Sequence, residues 1–349
     1  MFGDMMKKNY ITTIILLTVL MLTACDKVSP TGVLIASSDV DDRVKMSHEY
    51  YQIHKREYNV LVGRNGEYTF LVGADSHMTN DPGRMKEMLD NGIDNNDLFI
   101  AHLGDIADTK AEYYINLDSV VQKARDKYIK KNYHEVVVKD DKDIEHVFYQ
   151  EPHSTELYTL DQLKMPFYPV VGNHDLTNNG WALWTNIFNS SFYTVFIYVG
   201  DEEGHPIYDH LIFLDTASGT LGREQIDLLD DGALDDMFKV NPDGKLRHTF
   251  VFGHTNIFRV GTFELASTFP REETYYLLNK FDEWDADIVF CGHVHQWDEQ
   301  HIGDVTYLTL DSMSEKNNPG PGNYLVRVHV KTDGSLSWER VRMNYTPNR

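Results

Sequence analysis

Short runs of consecutive apolar residues recur along this chain, and each stops on a small residue followed by polar side chains. Glu67–Gly73, Asp97–Leu103, Phe167–Val171, Arg247–Phe252 and Ile288–Cys291 are the clearest cases. Such runs are too short for helices and lack the alternation of half-exposed strands, so they predict buried strands of a largely parallel sheet. Helical patterns lie between them. Asp81-Pro82-Gly83 opens a helix to about Asn91, with proline in its first turn. Leu117–Lys130, Trp181–Phe188, Gln225–Leu234 and Glu272–Trp284 read as further helices, and Phe192–Tyr198 and Leu211–Leu214 as further strands. Strand, helix and strand at this spacing form βαβ units, so the class is α/β. The last three strands, Val305–Leu310, Tyr324–Val330 and Leu336–Met343, alternate better and predict half-exposed antiparallel pairing.

The rhythm changes over 109–165. Glu135–Val138 and Ile144–Tyr149 flank the charged run Lys139-Asp140-Asp141-Lys142-Asp143, which predicts a hairpin with a charged tip. An insertion between two site-bearing strands either overhangs the site and sets specificity or is a solvated excursion. Its histidines, His134, His146 and His153, read as surface residues. Trp181 and Trp184 suit stacking on a nucleobase or burial in the core, and burial is the reading favoured here.

Composition changes the picture at the N-terminus. The chain has 349 residues, 42% hydrophobic, enough for one large core. Residues 1–24 differ in kind: Lys7 and Lys8 precede an apolar run from Ile11 to Leu22 that ends in Thr23-Ala24-Cys25. This is the pattern of a secretory signal peptide, and the run is shorter than the ~20 residues that span a bilayer. Leu22-Thr23-Ala24-Cys25 resembles a bacterial lipobox, which implies cleavage before Cys25 and its lipidation. The expected product is an exported, membrane-anchored lipoprotein on the periplasmic or cell-surface side. Residues 25–62 then form a tether and a polar helix (Asp41–Glu57), and 63–349 the main domain. The other cysteine, Cys291, has no partner for a disulfide within the mature chain. A net charge of −22 argues against a nucleic-acid-binding surface. It does not exclude a small phosphate substrate, because metal charge can dominate a local site.

The chemistry sits where the strands stop. Five strand ends deliver Asp75 and His77, Asp105, Asn173 and His174, His254, and His293 and His295. In an open α/β sheet, strand ends pointing the same way converge on one crevice. A lone histidine at a strand end has a bland structural reading; five such ends in one chain argue for a site. Carboxylate, imidazole and amide ligands suit Mn, Fe, Zn or Mg.

The ordered blocks Asp75-x-His77, Gly104-Asp105, Gly172-Asn173-His174-Asp175, Gly253-His254 and Gly292-His293-x-His295 resemble the calcineurin-like metallophosphoesterase family. The resemblance spans Asp75 to His295. It implies a four-layer α/β/β/α sandwich with two facing mixed β-sheets and a centre of two divalent metal ions. By the same resemblance Asp75, His77 and His295 bind one ion, Asn173, His254 and His293 the other, and Asp105 bridges them. His293 and His295, two apart, are expected on one side of a continuing strand. The implied reaction is hydrolysis of a phosphoester by a metal-activated hydroxide, with His174 as general acid and Asp175 orienting it. Phosphomonoesters, phosphodiesters and nucleotides all remain open as substrates. So does a non-catalytic binding module of the same fold, although such a protein is expected to have lost a ligand or His174. Asp108 and His102 flank the Gly-Asp block as supporting residues. Asp108 also stands where purple acid phosphatases carry tyrosine, so no tyrosinate–iron chromophore is expected. Thr255-Asn256-Ile257 replaces a proline-containing turn found in many relatives.

Overall fold

The computed structural model describes residues 39–53, 61–63, 65–108, 110–140, 142–232, 243–258, 269–314 and 323–345. The expected signal peptide, Cys25 and residues 54–57 of the expected polar helix lie outside them. The helix itself is α1, Val40–Ile53. Its Arg43 is buried and makes a bidentate pair with Asp215 (2.8 and 2.9 Å), which ties the N-terminal segment to the main domain.

Two mixed sheets lie face to face. The smaller has the order β14-β13-β2-β3-β6. Its strands are β2 (Tyr68–Gly73), β3 (Phe99–His102), β6 (Phe167–Pro169), β13 (Tyr324–Val330) and β14 (Leu336–Arg342). β2, β3 and β6 run parallel, and β13 is antiparallel to both its neighbours. The larger sheet has the order β1-β7-β8-β9-β10-β12-β11. It comprises β1 (Leu61–Val62), β7 (Tyr193–Glu202), β8 (His205–Phe213), β9 (Lys245–Phe252), β10 (Ile288–Cys291), β11 (Asp298–Ile302) and β12 (Val305–Thr309). Here β8, β9, β10 and β12 form a parallel block.

Alternation along the strands sorts the core into layers. Phe70, Val72, Phe99 and Ala101 point between the sheets, where Phe70 meets Phe250 edge-on at 5.2 Å and Phe290 at 6.0 Å. Leu71, Ile100 and Val171 point outward to the helices. They meet α2 (Gly83–Asp94) through Met85, Met88 and Leu89, α3 (Ala111–Asn132) through Leu117 and Val120, and α4 (Gly180–Phe188) through Trp181 and Trp184. Both tryptophans are core residues. Across the larger sheet lie α5 (Gly222–Asp230) and α6 (Arg271–Glu283), the latter burying Leu277 and Phe281. The result is an α/β/β/α sandwich. Among the described residues no helix is long and apolar enough to cross a membrane.

Of the two readings left open for the insertion, the structure favours the solvated excursion. The insertion does not overhang the strand ends that carry the site. α3 starts beside them, and its 22 residues run about 33 Å away. Its end rests on the end of α2, where the Lys131 ammonium meets the carbonyls of Ile93 and Asp94. The hairpin β4 (His134–Lys139) and β5 (Glu145–Gln150) therefore hangs at the opposite end of the sheet. For the C-terminal strands the expected antiparallel pairing holds, β12 with β11 and β13 with β14, but the expected half-exposure does not: β12 is buried and also parallel to β10, β13 is buried, and only β14 alternates as a half-exposed strand does.

Candidate metal centre

The parallel strands of both sheets stop at one edge, and the loops after them supply every residue of the candidate site. Gly104 and Gly172 meet back to back there. Gly104 has φ +88°, and a Cβ on it would lie 2.7 Å from both Gly172 N and His254 Nδ1; a Cβ on Gly172 would fall on the Asp105 backbone. Only glycine at both positions lets the Gly-Asp and Gly-Asn-His loops close on each other.

Asp75, His77, Asp105, His293 and His295 all have left-handed backbones, with φ of 53°, 41°, 52°, 70° and 57°. Each such residue costs about 1–3 kcal/mol and persists only where surrounding contacts hold it. β10 ends at Cys291, so His293 and His295 do not sit on a continuing strand as expected. Their turned backbones send them to different neighbours. Cys291 itself is buried in the core, and burial pushes its thiol up to about 12.

Asp75, His77, Asp105 and His295 form one group, with donor atoms all within 4.8 Å of one another. His77 Nε2 lies 3.1 Å from His295 Nε2, and His295 Nε2 lies 3.4 Å from Asp75 Oδ1. Asp105, His254 and His293 form a second group. His254 Nδ1–H donates to the Leu103 carbonyl at 2.7 Å. Its Nε2 is therefore the bare nitrogen, and it faces Asn173 Oδ1 at 2.9 Å, His293 Nδ1 at 3.2 Å and Asp105 Oδ1 at 3.5 Å. Asp105 is common to both groups: its Oδ2 lies 3.8 Å from His77 Nε2.

These residues fit cations on electrostatic grounds. Asp75 and Asp105 are buried. Among the described residues their partners are imidazoles and the backbone N–H groups of His293 and His174, with no lysine or arginine. Two buried carboxylates without a basic side chain are expensive, and a divalent ion supplies the missing charge. Burial raises both carboxyls, but neighbouring histidines, His295 for Asp75 and His254 first for Asp105, outweigh it and hold both low.

Asp175, expected to orient His174, spends its hydrogen bonds on the turn backbone and Tyr114. Its carboxylate accepts the N–H groups of Gly172 (2.9 Å), Ile106 (3.1 Å) and Ala107 (3.2 Å), and the Tyr114 hydroxyl (3.2 Å). It locks the Gly-Asn-His turn to the loop after Asp105. Burial and the Asp105 charge push its carboxyl up. The carboxylate next to His174 is Asp108, with Oδ1 3.5 Å from His174 Nδ1 and 3.3 Å from His77 Nδ1, and these three side chains form a third group of converging donors. Burial lowers the His174 imidazole, but Asp105 and Asp108 outweigh it and hold it up at about 9. His102 is buried, at about 3 because of that burial, and donates from Nε2 to Ser76 Oγ (3.1 Å), which donates to the Ile106 carbonyl (2.8 Å). It braces the site from behind.

Sequence reasoning missed the brace from the chain after β12. Ser312 Oγ donates to the carbonyl of the left-handed Asp75 at 2.7 Å, and Met313 N–H to Ala74 O at 2.9 Å. Asp311, held by the Arg340 guanidinium, accepts the Trp297 N–H at 3.1 Å and so fixes the loop carrying His295. The only signal was the polar pair Asp311-Ser312 ending a buried strand. Ser312→Ala is expected to weaken metal binding at the Asp75–His77–His295 group by about 10–100-fold, the usual range for outer-sphere partners. The Asp105–His254–His293 group should be unaffected. Calorimetric titration of metal into chelator-stripped protein reads the two steps separately.

Several solved structures resemble this chain at low identity. GAP50, described as the anchor in the inner membrane complex of Plasmodium, is 14% identical with a TM-score of 0.46, covering 80% of this chain and 90% of that one. A dimetal phosphatase from Danio rerio is 12% identical with a TM-score of 0.39, covering 75% and 95%. A putative 5'-nucleotidase from Staphylococcus aureus is 14% identical with a TM-score of 0.40, covering 80% and 55%. No curated protein matches the sequence. The calcineurin-like phosphoesterase profile matches residues 68–297. That span runs from the first residue of β2 to two residues past His295 and takes in all three histidine–carboxylate groups, so this chain belongs to the calcineurin-like phosphoesterase family.

Proposed function

We propose that the chain hydrolyses phosphoester bonds at this site, with two divalent ions held by Asp75, His77, Asp105, Asn173, His254, His293 and His295. The observation that carries the reading is Asp105. It is a buried carboxylate shared by two groups of converging donor atoms, and His174 stands against one of them, its ring 4.7 Å from that of His77. Bound there, a metal pair supplies a hydroxide nucleophile near neutral pH and positive charge for the phosphoryl oxygens.

The chain's own residues do the rest. Asp108 faces the Nδ1 sides of His77 and His174. That leaves His77 Nε2 bare for a cation, and it leaves His174 Nε2 to carry the proton that the leaving alkoxide takes. Asp175 holds the turn under His174 through three backbone N–H groups. The donor set suits Mn, Fe, Zn or Mg.

The test is hydrolysis of p-nitrophenyl phosphate and bis-p-nitrophenyl phosphate by metal-loaded and chelator-stripped protein. Metal-dependent turnover of either supports the reading, and the faster ester assigns the class. A metal-loaded protein inactive on a broad panel of monoesters, diesters and nucleotides would make it a non-catalytic binding module.

We propose further that the protein works outside the cytoplasm, tethered through a lipid on Cys25, since a lipobox-like Leu22-Thr23-Ala24-Cys25 follows a signal-like segment. Cys25→Ala is expected to lose lipid labelling and to leave the membrane pellet for the soluble fraction. Unchanged labelling of that variant contradicts the assignment.

A further inference from the structure

The hairpin β4–β5 stands apart from both main sheets as a separate two-stranded ribbon. Isolated two-stranded ribbons are marginal in water. This one exposes Val137, Val138, Ile144 and Val147. Its two edges differ. On β5, Tyr149 exchanges both backbone hydrogen bonds with Tyr158 (2.8 and 2.9 Å). On β4, among the described residues, no strand pairs with the outer edge.

The Tyr149–Tyr158 bonds reveal which backbone groups of β4 point outward. Residues of an antiparallel pair alternate between exchanging both hydrogen bonds and exchanging none. Tyr149 spends its N–H and C=O away from β4, so its partner Glu135 is in a non-bonded pair. By the same alternation Val137 and Lys139, paired with Val147 and Glu145, also direct N–H and C=O to the open edge.

A strand presenting Glu135, Val137 and Lys139 in this way complements itself. Set antiparallel to a second copy about a twofold axis at Val137, it forms three hydrogen-bonded pairs. Val137 meets Val137 of the second copy, and Glu135 meets Lys139 twice, once on each side of the axis. His134 falls opposite Asp140. Lone charges on an edge strand normally deter pairing, and opposite charges facing each other across a pair favour it. In the single chain the Lys139 ammonium reaches Asp143 (3.1 Å) and Glu145 (3.6 Å); both are exposed and within reach of the same junction.

We propose that the open edge of β4 is a homodimer interface, in which two copies join their ribbons into a four-stranded antiparallel sheet with twofold symmetry. The register is the one centred on Val137. The hairpin lies at the end of the sheet opposite the metal centre, so dimerisation leaves both sites open and facing away from the junction.

A charge swap tests the proposal, read by sedimentation velocity across a concentration series of the intact protein. Wild type is expected to show a concentration-dependent dimer. Glu135→Lys sets lysine against lysine in both symmetry-related pairs and is expected to weaken dimerisation by about tenfold or more. Because Lys139 also faces Glu145 within the ribbon, the compensating variant is Glu135→Lys/Lys139→Glu/Glu145→Lys, which restores opposite charges both across the junction and along the ribbon and should recover most of the loss. Val137→Pro removes the N–H of the central pair, which β5 does not use, and should abolish the dimer with the fold kept by circular dichroism. A wild type monomeric throughout the series overturns the proposal. So does a single charge variant that dimerises like wild type, or a compensating variant that fails to recover.

Discussion

Asp105→Asn is expected to lower kcat/KM for phosphoester hydrolysis by about 10³-fold or more, with loss of bound metal. The carboxylate is shared between two groups, 3.8 Å from His77 Nε2 and 3.5 Å from His254 Nε2. An amide keeps the shape but offers one oxygen and no charge, so it cannot serve both sides. A second readout separates this from misfolding. Metal that binds only the native state raises stability, by about 2.7 kcal/mol per site at one hundred times Kd. Wild type should therefore melt higher with metal than without, and the variant should show little of that difference. Retention of the full metal-dependent shift in Asp105→Asn would remove Asp105 from the bridging position.

His174→Ala is the second large effect and has the opposite signature. His174 lies in neither group that shares Asp105, only in a third with His77 and Asp108; acting as a proton donor and not as a ligand, it should leave metal content at the wild-type level. The proton it supplies is worth about 10²–10⁴ in rate. That loss should fall mainly in kcat and depend on the leaving group. An alkyl phosphate, whose alkoxide needs the proton, should lose most; a nitrophenyl ester, which leaves readily as an anion, should lose far less. Equal losses on both esters would argue that His174 acts by position alone. Asp108→Asn should give a milder version, because it removes the carboxylate beside Nδ1 and leaves Nε2 in place.

How far the sequence could be read differs between the strands and the loops that follow them. The strands ending at Gly73, His102, Phe252 and Cys291 were legible because each is a run of buried apolar residues stopped by a small or polar one. Once two parallel blocks face each other, convergence of their ends follows from topology. The residues gathered at one sheet edge were therefore within reach, whereas the two-sheet sandwich was implied by the resemblance of the five motif blocks and not by the strand pattern.

Other features depend on relations that linear spacing does not encode. Asp175 follows His174 directly, yet successive residues of the tight turn point different ways, and its carboxylate meets the 106–107 backbone instead. Asp108, three residues past Asp105, is the one brought to the imidazole. His293 and His295 read as strand residues because two-residue spacing implies one face, whereas left-handed backbones at both override that rule. β11 escaped notice because Asp298–Ile302 is a mostly polar, exposed edge strand with no apolar period. The hairpin's position was illegible for another reason. α3 extends back to Ala111, burying Tyr113 and Tyr114, and its added length carries the hairpin to the far end of the sheet.

The most direct test of the central claim is a metal add-back titration. Chelator-stripped protein receives manganese, zinc or iron in steps, and bound metal and phosphoester hydrolysis are measured on the same samples. Activity is predicted to rise with metal content and to level off at about two ions per chain. Full activity in the stripped protein, or a chain carrying two ions that hydrolyses neither monoesters nor diesters, would contradict the account.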